Sequence, residues 1–372
     1  MYVAADPLLT SASLFGAYDL NAESLLNSQI RYGAPFYTRG RVGLWAVLQS
    51  MNIGTGDEVL LPAFICDSVI GPIESTGAKP TFFRTGPMLE ISAQDVGAAI
   101  SAKTRAVLIP HYYGIPTALD EISTLCEQQG IWLIEDCAHA LYSFDGTTPL
   151  GRRGHAAIFS PWKTLPLPDG GILVINDDRL VRPDPLPEHS PLRLAANMAY
   201  RILPTIESAI GWSPRLALLA RGGLRDSIQE RDRSPDFRRE AGSDFSYQML
   251  ERADGALVRQ RRRSNFERLA KAVASQPYLQ ALISVLGNGV CPLGLPVLCR
   301  DREQARRHFL HQGINVRAYW ERLPREVDMA EFPDAHQISR QILILPVHQS
   351  LIRRQIEHVV RAIESLPGGA SE

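Results

Sequence analysis

The sequence predicts an α/β protein with a mostly parallel central sheet and a smaller C-terminal α+β domain. Three observations carry this prediction. Between residues 41 and 176, short apolar runs alternate with amphipathic stretches, which is typical of parallel strands joined by helices. Most of the apolar runs contain no polar residue, as expected of strands buried on both faces. At 372 residues the chain is also too long for one ordinary core, which favours a second domain.

The alternating region contains six candidate strands and four candidate helices. The strands are the apolar runs at residues 58–61, 80–84, 106–109, 132–134, 156–159 and 172–175. The helices are the amphipathic stretches at residues 42–51, 67–76, 93–100 and 118–129. Gly77 and Gly130 follow two of these helices, where a left-handed residue commonly ends an α-helix.

Residues 179–241 interrupt this pattern. Seven prolines and eleven arginines fall within this segment, and eight carboxylates offset much of the positive charge. Two interpretations are open. The segment is either a connection between domains with short helices, or a substrate lid or partner surface.

A helical pattern resumes at residue 246 and continues to residue 274. It is followed by a strand, a helix ended by Gly313, a second strand and a last helix, at residues 295–298, 302–312, 314–317 and 352–366. We therefore assign residues 1–245 to a large α/β domain that includes the N-terminal arm and the connection. Residues 246–372 form the smaller domain.

The composition excludes several classes of protein. The chain has 39 basic and 40 acidic side chains and a net charge of −1, which argues against a general coat for nucleic acid or an anionic membrane. Five cysteines, an odd number without a CxxC pair, argue against a disulfide framework and against a zinc ribbon. No signal peptide or spanning helix is evident, so we expect a soluble, cytoplasmic protein.

Two segments carry residues of the types found in catalytic or cofactor-binding sites. The apolar run at 131–134 is followed by Asp136 and His139, and the run at 156–159 by Lys163 and a Gly170-Gly171 pair. In parallel sheets, ligands bind at the carboxyl edge where these side chains would emerge. A lysine can form a Schiff base with an aldehyde cofactor, and a buried aspartate can keep a pyridinium nitrogen protonated. Together, and in this order in an α/β chain, the two segments suggest pyridoxal 5′-phosphate (PLP) as a hypothesis; a helix cap or ion-pair partner for the aspartate and a solvated surface lysine stay open as simpler interpretations.

The chain resembles the DegT/DnrJ group of PLP-dependent aminotransferases, which have fold type I. The resemblance rests on ordered matches at residues 54–62, 77–80, 103–114, 135–139, 163–171, 313–316 and 345–348. It implies a PLP cofactor and a homodimer, because sites of this fold are normally completed by a second subunit.

The resemblance also implies roles for individual residues. Lys163 corresponds to the catalytic lysine that forms the Schiff base, and Asp136 to the carboxylate that pairs with the pyridine nitrogen. His139 stands where the family usually has glutamine beside the ring hydroxyl. Gly40 and Arg41 fall where a helix begins whose backbone N–H groups hold the cofactor phosphate.

Three positions depart from the family pattern. Ser160 lies three residues before the lysine, whereas the family's phosphate-binding serine usually lies five before it. Cys66 replaces the aromatic residue that stacks on the cofactor, with Phe64 nearby. The asparagine contributed by a neighbouring subunit has no clear counterpart, although Asp244 and Ser246 lie in that region.

The predicted function is an aminotransferase that moves an amino group from an amino acid to a keto-sugar or a related keto or aldehyde intermediate. Two alternatives remain: another PLP reaction on an amino-acid-like substrate, such as decarboxylation, elimination or replacement, and a non-catalytic binding protein. Expected partners are the small-molecule donor and acceptor and a second subunit, with no nucleic acid or membrane. Five further residues could line the substrate pocket, namely Tyr112, Tyr113, Arg317, Tyr319 and His348.

Overall fold

The computed structural model describes residues 1–9, 26, 29–30, 33–210 and 237–367. Most of the predicted N-terminal arm lies outside the described residues. The same holds for residues 211–236 of the predicted connection, which include Pro214 and Pro235.

A seven-stranded sheet dominates the first half of the chain and confirms the predicted mostly parallel arrangement. The strands of this half are β1 Phe36–Tyr37, β2 Glu58–Pro62, β3 Lys79–Phe83, β4 Thr104–Pro110, β5 Trp132–Cys137, β6 Phe144–Asp145, β7 Thr148–Pro149, β8 Ala156–Phe159 and β9 Gly171–Ile175. The spatial order of the large sheet is β1-β9-β8-β5-β4-β2-β3, and β6 pairs with β7 separately. Strands β8, β5, β4, β2 and β3 run parallel, and β9 is antiparallel to both of its neighbours, β8 and the edge strand β1.

Helices connect these strands close to the predicted positions. They are α1 Gly40–Ser50, α2 Ile70–Glu74, α3 Ala93–Ala99, α4 Asp120–Gln129, α5 Pro161–Thr164 and α6 Pro191–Ile210. A 3₁₀ turn at Asp67–Val69 precedes α2, so the helix predicted at 67–76 is divided in two. Gly77 and Gly130 have φ angles of 88° and 66°, which confirms the predicted left-handed residues.

The central strands are buried on both faces, as predicted. Side chains of a strand alternate between the faces of the sheet. In β4, Ala106 and Leu108 belong to one hydrophobic cluster, whereas Val107 and Ile109 belong to another on the opposite face. All four side chains are fully buried. This sheet is the rigid support that fixes the carboxyl ends of its strands.

A second, three-stranded antiparallel sheet lies in the C-terminal part of the chain. Its strands are β10 Leu279–Ala281, β11 Leu295–Cys299 and β12 Ile342–Leu345. The helices of this part are α7 Asp244–Glu251, α8 Gly255–Ala274, α9 Arg302–His311, α10 Pro333–Gln341 and α11 Arg353–Glu364. The helix predicted at 246–274 is broken because Asp254 caps the start of α8, accepting a hydrogen bond from Leu257 N.

The strand predicted at residues 314–317 is wrong. Its alternating apolar and polar residues suit a strand, but only isolated bridges form at its two ends. Ile314 pairs with Val3 of the N-terminal segment, and Arg317 pairs with Ile344 of β12. Two partners, each meeting one end, cannot provide the continuous hydrogen-bond ladder of a strand.

The first residues of the chain pack against its C-terminal part. Val3 belongs to the hydrophobic cluster that surrounds the small sheet, and its N–H donates to Gly313 O at 2.9 Å. Gln355 Nε2 donates to Tyr2 O at 3.0 Å. The domain boundary between residues 245 and 246 stays a prediction, and the N-terminal segment contacts residues beyond that boundary.

The connection contains a 20-residue helix, α6, where only short helices were predicted. Pro191 stands at its first position, where proline is tolerated because the missing N–H has no intrahelical acceptor. Within the described part of the chain, no helix combines the length and apolar character needed to cross a membrane.

Candidate active site

The predicted chemical residues meet at the carboxyl edge of two neighbouring strands. Strands β5 and β8 are parallel, and their register places Asp136 opposite Ile158 and Cys137 opposite Phe159. Both strands therefore end at the same level. His139 follows β5 by two residues, and Ser160 begins the turn into α5, which carries Lys163.

The Lys163 amine contacts the His139 ring. Lys163 Nζ lies 3.2 Å from His139 Nε2. Burial lowers the pKa of His139 well below its usual value, and the positive charge of Lys163 lowers it further. The imidazole is therefore neutral, and its Nε2 can accept a hydrogen bond from the lysine ammonium group.

Asp136 is a buried carboxylate with little compensation from the protein. Ala138 N donates to its Oδ1 at 2.9 Å, and this is its one hydrogen bond among the described residues. Burial raises the pKa of Asp136, while the charge of Lys163 opposes the rise. A buried carboxylate is costly unless a charged or hydrogen-bonding partner faces it. The donor-poor carboxylate therefore fits a cationic N–H group such as a pyridinium nitrogen.

Aromatic rings surround His139. The Trp320 and Tyr113 rings lie nearly parallel to it, at centroid distances of 5.4 and 5.7 Å, and Tyr319 lies at 5.3 Å. Tyr112 contacts Trp320 at 5.6 Å. The structure thus brings the predicted pocket residues Tyr113 and Tyr319 to His139, and Tyr112 to the neighbouring Trp320. Trp320 was missed because no pattern distinguished it from an ordinary core tryptophan.

The start of helix α1 meets the Ser160 hydroxyl. A Cβ atom on Gly40 would lie only 2.5 Å from Ser160 Oγ, so the backbone of the first helical residue approaches this hydroxyl closely. Gly171 packs equally closely on the Arg39 carbonyl group. The backbone N–H groups in the first turn of an α-helix have no intrahelical acceptors. Together with a nearby hydroxyl group, they can bind a phosphate. The displaced Ser160 therefore reaches the helix start despite its unusual spacing.

Arg41 and Cys66 have other described neighbours. The Arg41 guanidinium lies 5.8 Å from the centroid of the Phe237 ring. Cys66 Sγ lies 3.0 Å from Ser68 Oγ, and its side chain is half-buried. Phe64, rather than Cys66, belongs to the aromatic cluster, with its ring 4.9 Å from that of Trp320. Cofactor contacts of Arg41 and Cys66 stay predictions.

Two arginines flank Trp162, the residue before Lys163. The guanidinium groups of Arg39 and Arg201 lie 4.9 and 5.1 Å from the Trp162 ring. Arg201 Nη2 also donates to Trp162 O at 2.8 Å. Arg201 belongs to α6, so the connection contributes directly to the support of the Lys163 turn. Sequence reasoning missed this role, since eleven arginines in that segment gave no reason to select one.

A buried trio of His111, Glu135 and Cys137 has metal-ligand character, with its ligand atoms within 4.8 Å of one another. However, Thr117 N donates to His111 Nδ1, so Nε2 carries the proton and donates to Glu135 at 2.9 Å. The other acceptor positions of Glu135 are filled by backbone N–H groups of Gly151, Arg153 and Gly154. Burial alone would raise the pKa of Glu135, but these bonds outweigh it and hold the pKa below its usual value. The trio is a saturated structural network.

Comparison with known proteins gives one family. Residues 37–183 match the DegT/DnrJ/EryC1/StrS aminotransferase family. GDP-perosamine synthase of Vibrio cholerae is 33% identical over 147 residues, 39% of this chain and 40% of that protein. A pleiotropic regulatory protein of Geobacillus stearothermophilus is 31% identical over 186 residues, or 48% and 50%. The matches therefore span half or less of these two relatives.

A longer match exists at lower identity. The dTDP-4-dehydro-2,3,6-trideoxy-D-glucose 4-aminotransferase of Saccharopolyspora spinosa is 27% identical over 353 residues, covering 88% of this chain and 84% of that protein. Among solved structures, a sugar aminotransferase of Streptococcus pneumoniae in its PLP form has a TM-score of 0.71 and 16% identity, covering 97% of each chain. DesV of S. venezuelae has a TM-score of 0.66 and 21% identity, covering 91% and 86%. These structures establish fold type I.

Proposed function

Residues 37–183 carry a DegT/DnrJ/EryC1/StrS aminotransferase family domain, and from this premise we propose that the protein is a PLP-dependent aminotransferase. It would move an amino group from an amino acid donor to a keto-sugar or a related keto or aldehyde biosynthetic intermediate. One observation carries the proposal. The Lys163 amine, the neutral His139 ring and the donor-poor Asp136 carboxylate meet at the carboxyl edge of β5 and β8.

The residues present fit PLP. Asp136 would face the pyridine nitrogen, His139 would lie beside the ring, and Gly40, Ser160 and the start of α1 would hold the phosphate. Arg41 would lie beside the cofactor phosphate, and Cys66 would lie beside the cofactor ring. When bound, PLP supplies an aldehyde that can bond to an amine and a ring that accepts electrons from the substrate carbon.

The chain's own groups have distinct tasks in this reaction. Lys163 Nζ is the base that takes a proton and returns it, and a positioned base contributes roughly 10²–10⁴-fold to a rate. His139 Nε2 accepts a hydrogen bond from that amine and so orients it. Asp136 keeps its negative charge when a cation lies against it, which stabilises a protonated ring nitrogen. The Tyr113 and Trp320 rings pack nearly parallel to the His139 ring and restrict its movement.

The proposal is tested with purified protein incubated with PLP and then with glutamate or glutamine. We expect the visible absorbance of lysine-bound cofactor to form, and to convert to that of the amine form when a donor is added. Lys163→Ala should remove the first band, and Lys271→Ala, on the surface of α8, is the matched control. No conversion with any common donor would contradict transamination and favour another PLP reaction. A protein that does not take up PLP would instead favour the non-catalytic alternative.

One observation already speaks against the non-catalytic alternative. A retained but unused lysine would be expected in a buried salt bridge. Among the described residues, Lys163 forms no ion pair with a carboxylate; its partner is the neutral His139 ring. A lysine amine beside a neutral hydrogen-bond acceptor suits a catalytic role better than a structural one.

We further propose that the protein is a homodimer and that it is located in the cytoplasm. Sites of fold type I are normally completed by a second subunit, and the large hydrophobic side chains of Val181 and Leu192 are exposed in this chain. All five cysteines are free, as expected in a reducing compartment. Sedimentation equilibrium would test the dimer, and a mass equal to one chain would exclude it.

A further inference from the structure

The two ends of the connection, residues 179–241, meet beside the turn that follows Lys163. His189 belongs to the first end and Glu240 to the last, and Asp169 begins the turn. His189 Nδ1 lies 3.1 Å from Glu240 Oε2, and His189 Nε2 lies 3.7 Å from Asp169 Oδ2. One imidazole ring therefore lies between two carboxylates, and the proposed reaction employs none of these three side chains.

All three side chains are shielded from water. Those of His189, Asp169 and Glu240 are 5%, 0% and 14% exposed. Asp169 Oδ1 accepts a hydrogen bond from Ser243 N at 3.2 Å. Asp169 Oδ2 and His189 Nε2 are buried and have no hydrogen-bond partner among the described residues. Polar atoms buried in this way cost free energy, so their proximity requires a physical explanation.

A hydrogen on each ring nitrogen of His189 supplies that explanation. The Glu240 carboxylate can only accept, so His189 Nδ1 donates to it. A lone pair on His189 Nε2 would face the lone pairs of Asp169 Oδ2, and the two atoms would repel each other. With a hydrogen there, the ring is a cation that donates towards both carboxylates. The charges then balance, because Arg193 also pairs with Glu240 and two cations meet two anions.

The same two segments hold the backbone of Thr38, just before helix α1. Thr38 N donates to Glu240 O at 3.2 Å, and Gly170 N donates to Thr38 O at 2.9 Å. Helix α1 begins at Gly40, so the position of Thr38 determines where the first N–H groups of the helix lie. A link between the side chains of Asp169 and Glu240 therefore also fixes the helix start.

We propose that His189 is a positioning residue for the cofactor phosphate. Its positively charged ring links the carboxylates of Asp169 and Glu240, and so holds the two segments that fix Thr38 and the start of α1. His189 acts through these segments rather than by contact with the cofactor. The inference rests on the proposed PLP-dependent function, and it gives the connection a role in shaping the phosphate site.

The test is a double-mutant cycle on His189 and Asp169, measured by fluorescence titration of the protein with PLP. A glutamine side chain has one amide donor group and one oxygen acceptor, so in His189→Gln this oxygen must face one of the two carboxylates. PLP should then bind about 10-fold more weakly. In Asp169→Asn/His189→Gln, the asparagine amide can donate to that oxygen while the glutamine amide donates to Glu240. The PLP affinity should return to within about 2-fold of the parent value.

Two further measurements separate positioning from general folding. Pyridoxal lacks the phosphate, so its affinity should be equal in His189→Gln and the parent protein. Amide exchange at Thr38 and Gly170, recorded without cofactor, should accelerate in His189→Gln and slow again in the double variant. His358→Gln on α11 is the matched control, because its glutamine can still donate to Gln312 O.

An unchanged PLP affinity in His189→Gln, or no recovery in the double variant, would overturn the inference. Equal losses of PLP and pyridoxal affinity would overturn it as well, since they would indicate general damage. If His189→Gln does not fold, the double variant should still fold and bind PLP, and its failure would count against the inference.

The half-reaction with glutamate is recorded on the same samples, so that the two proposals can fail separately. If the parent protein does not react while the affinity pattern holds, the proposed aminotransferase function is wrong and the positioning role remains. If the parent reacts while PLP affinity does not depend on His189, the inference alone fails.

Discussion

At the scale of single residues, the hydrogen bond between Lys163 and His139 is the contact most open to test. His139→Phe keeps a ring against Trp320 but removes the acceptor 3.2 Å from Lys163 Nζ. We expect PLP uptake to persist and the half-reaction with glutamate to slow about 10-fold or more, because the amine loses its orientation. Stopped-flow absorbance measures this rate.

Tyr113→Phe is the matched control for that variant. It removes a hydroxyl group that has no hydrogen-bond partner among the described residues, next to the same His139 ring. The rate should change little. An undiminished rate in His139→Phe would contradict the orienting role.

His348 makes stability depend on pH. Burial lowers its pKa to about 3 from 6.5, and the charge of Arg262 adds to this, although the bond to Ala4 O opposes it. Above pH 6.5 the ring is neutral whether folded or unfolded, and no stability is lost. As pH falls from 6.5 towards 3, the unfolded chain gains a proton that the folded protein excludes, so stability falls.

His348→Gln keeps a donor for Ala4 O but removes this titration. The free energy of unfolding should then decline less steeply between about pH 6 and pH 4, by up to about 1.4 kcal/mol per pH unit. Urea unfolding at several pH values measures the slope. An identical slope in both proteins would show that another group controls acid stability.

Residues that follow a predicted strand could be found from the sequence, whereas residues that act across long sequence distances could not. Lys163, Asp136 and His139 each lie within a few positions of an apolar run. Arg262 lies in the middle of a helical pattern, and its acceptors are dispersed from residue 164 to residue 349. Nothing local distinguishes it from the exposed Arg261 beside it.

At the scale of elements, the contact between the Gly170-Gly171 turn and the start of α1 sets the shape of the expected phosphate site. A Cβ atom at Gly171 would overlap the Arg39 carbonyl, which is backbone and cannot rotate away. We expect Gly171→Ala to displace the start of α1, to lower the free energy of unfolding by about 1–3 kcal/mol, and to weaken PLP binding.

Gly54→Ala is the control for that substitution, because its added methyl group would meet the nearest atom, Thr76 O, at an ordinary 3.6 Å. Fluorescence titration with PLP and urea unfolding measure both effects. Equal PLP affinity in Gly171→Ala and the parent protein would show that this turn does not determine the shape of the phosphate site.

Elements with their own periodic signal were predicted well, and those that depend on distant partners were not. Strands β2, β3, β4, β5, β8 and β9 of the large sheet were located from their apolar runs, whereas the separate short pair β6 and β7 was not. The edge strand β1 has only two residues, too few for any period to show. Residues 314–317 have the period of a strand but lack a continuous neighbour, and sequence pattern cannot reveal a missing neighbour.

At the scale of the whole molecule, the N-terminal segment stabilises the C-terminal sheet. Val3 is fully buried in the cluster around that sheet. Val3→Asp would bury an unpaired carboxylate and should cost about 3 kcal/mol or more. Amide exchange should accelerate in β12 more than in β5 of the large sheet. Val285→Asp, at a site 81% exposed, is the control.

Equal acceleration in β5 and β12 would contradict a local role for the segment. This long-range contact could not be predicted, because the first nine residues carry no periodic pattern and the predicted domain boundary placed them with the large sheet. The two-part architecture itself could be anticipated from length and from the change of pattern after residue 176.

The contact between Val3 and Ile314 also has a consequence for synthesis on the ribosome. Chains emerge from the N-terminus at about 5–20 residues per second, and early parts can fold before later ones exist. Every strand of the large sheet is complete by Ile175, so the expected phosphate site can form first. Val3 cannot pair with Ile314 until that residue has been synthesised. The ion pair between Asp6 and Arg317 likewise cannot form until residue 317 has been translated, long after the strands of the large sheet are complete.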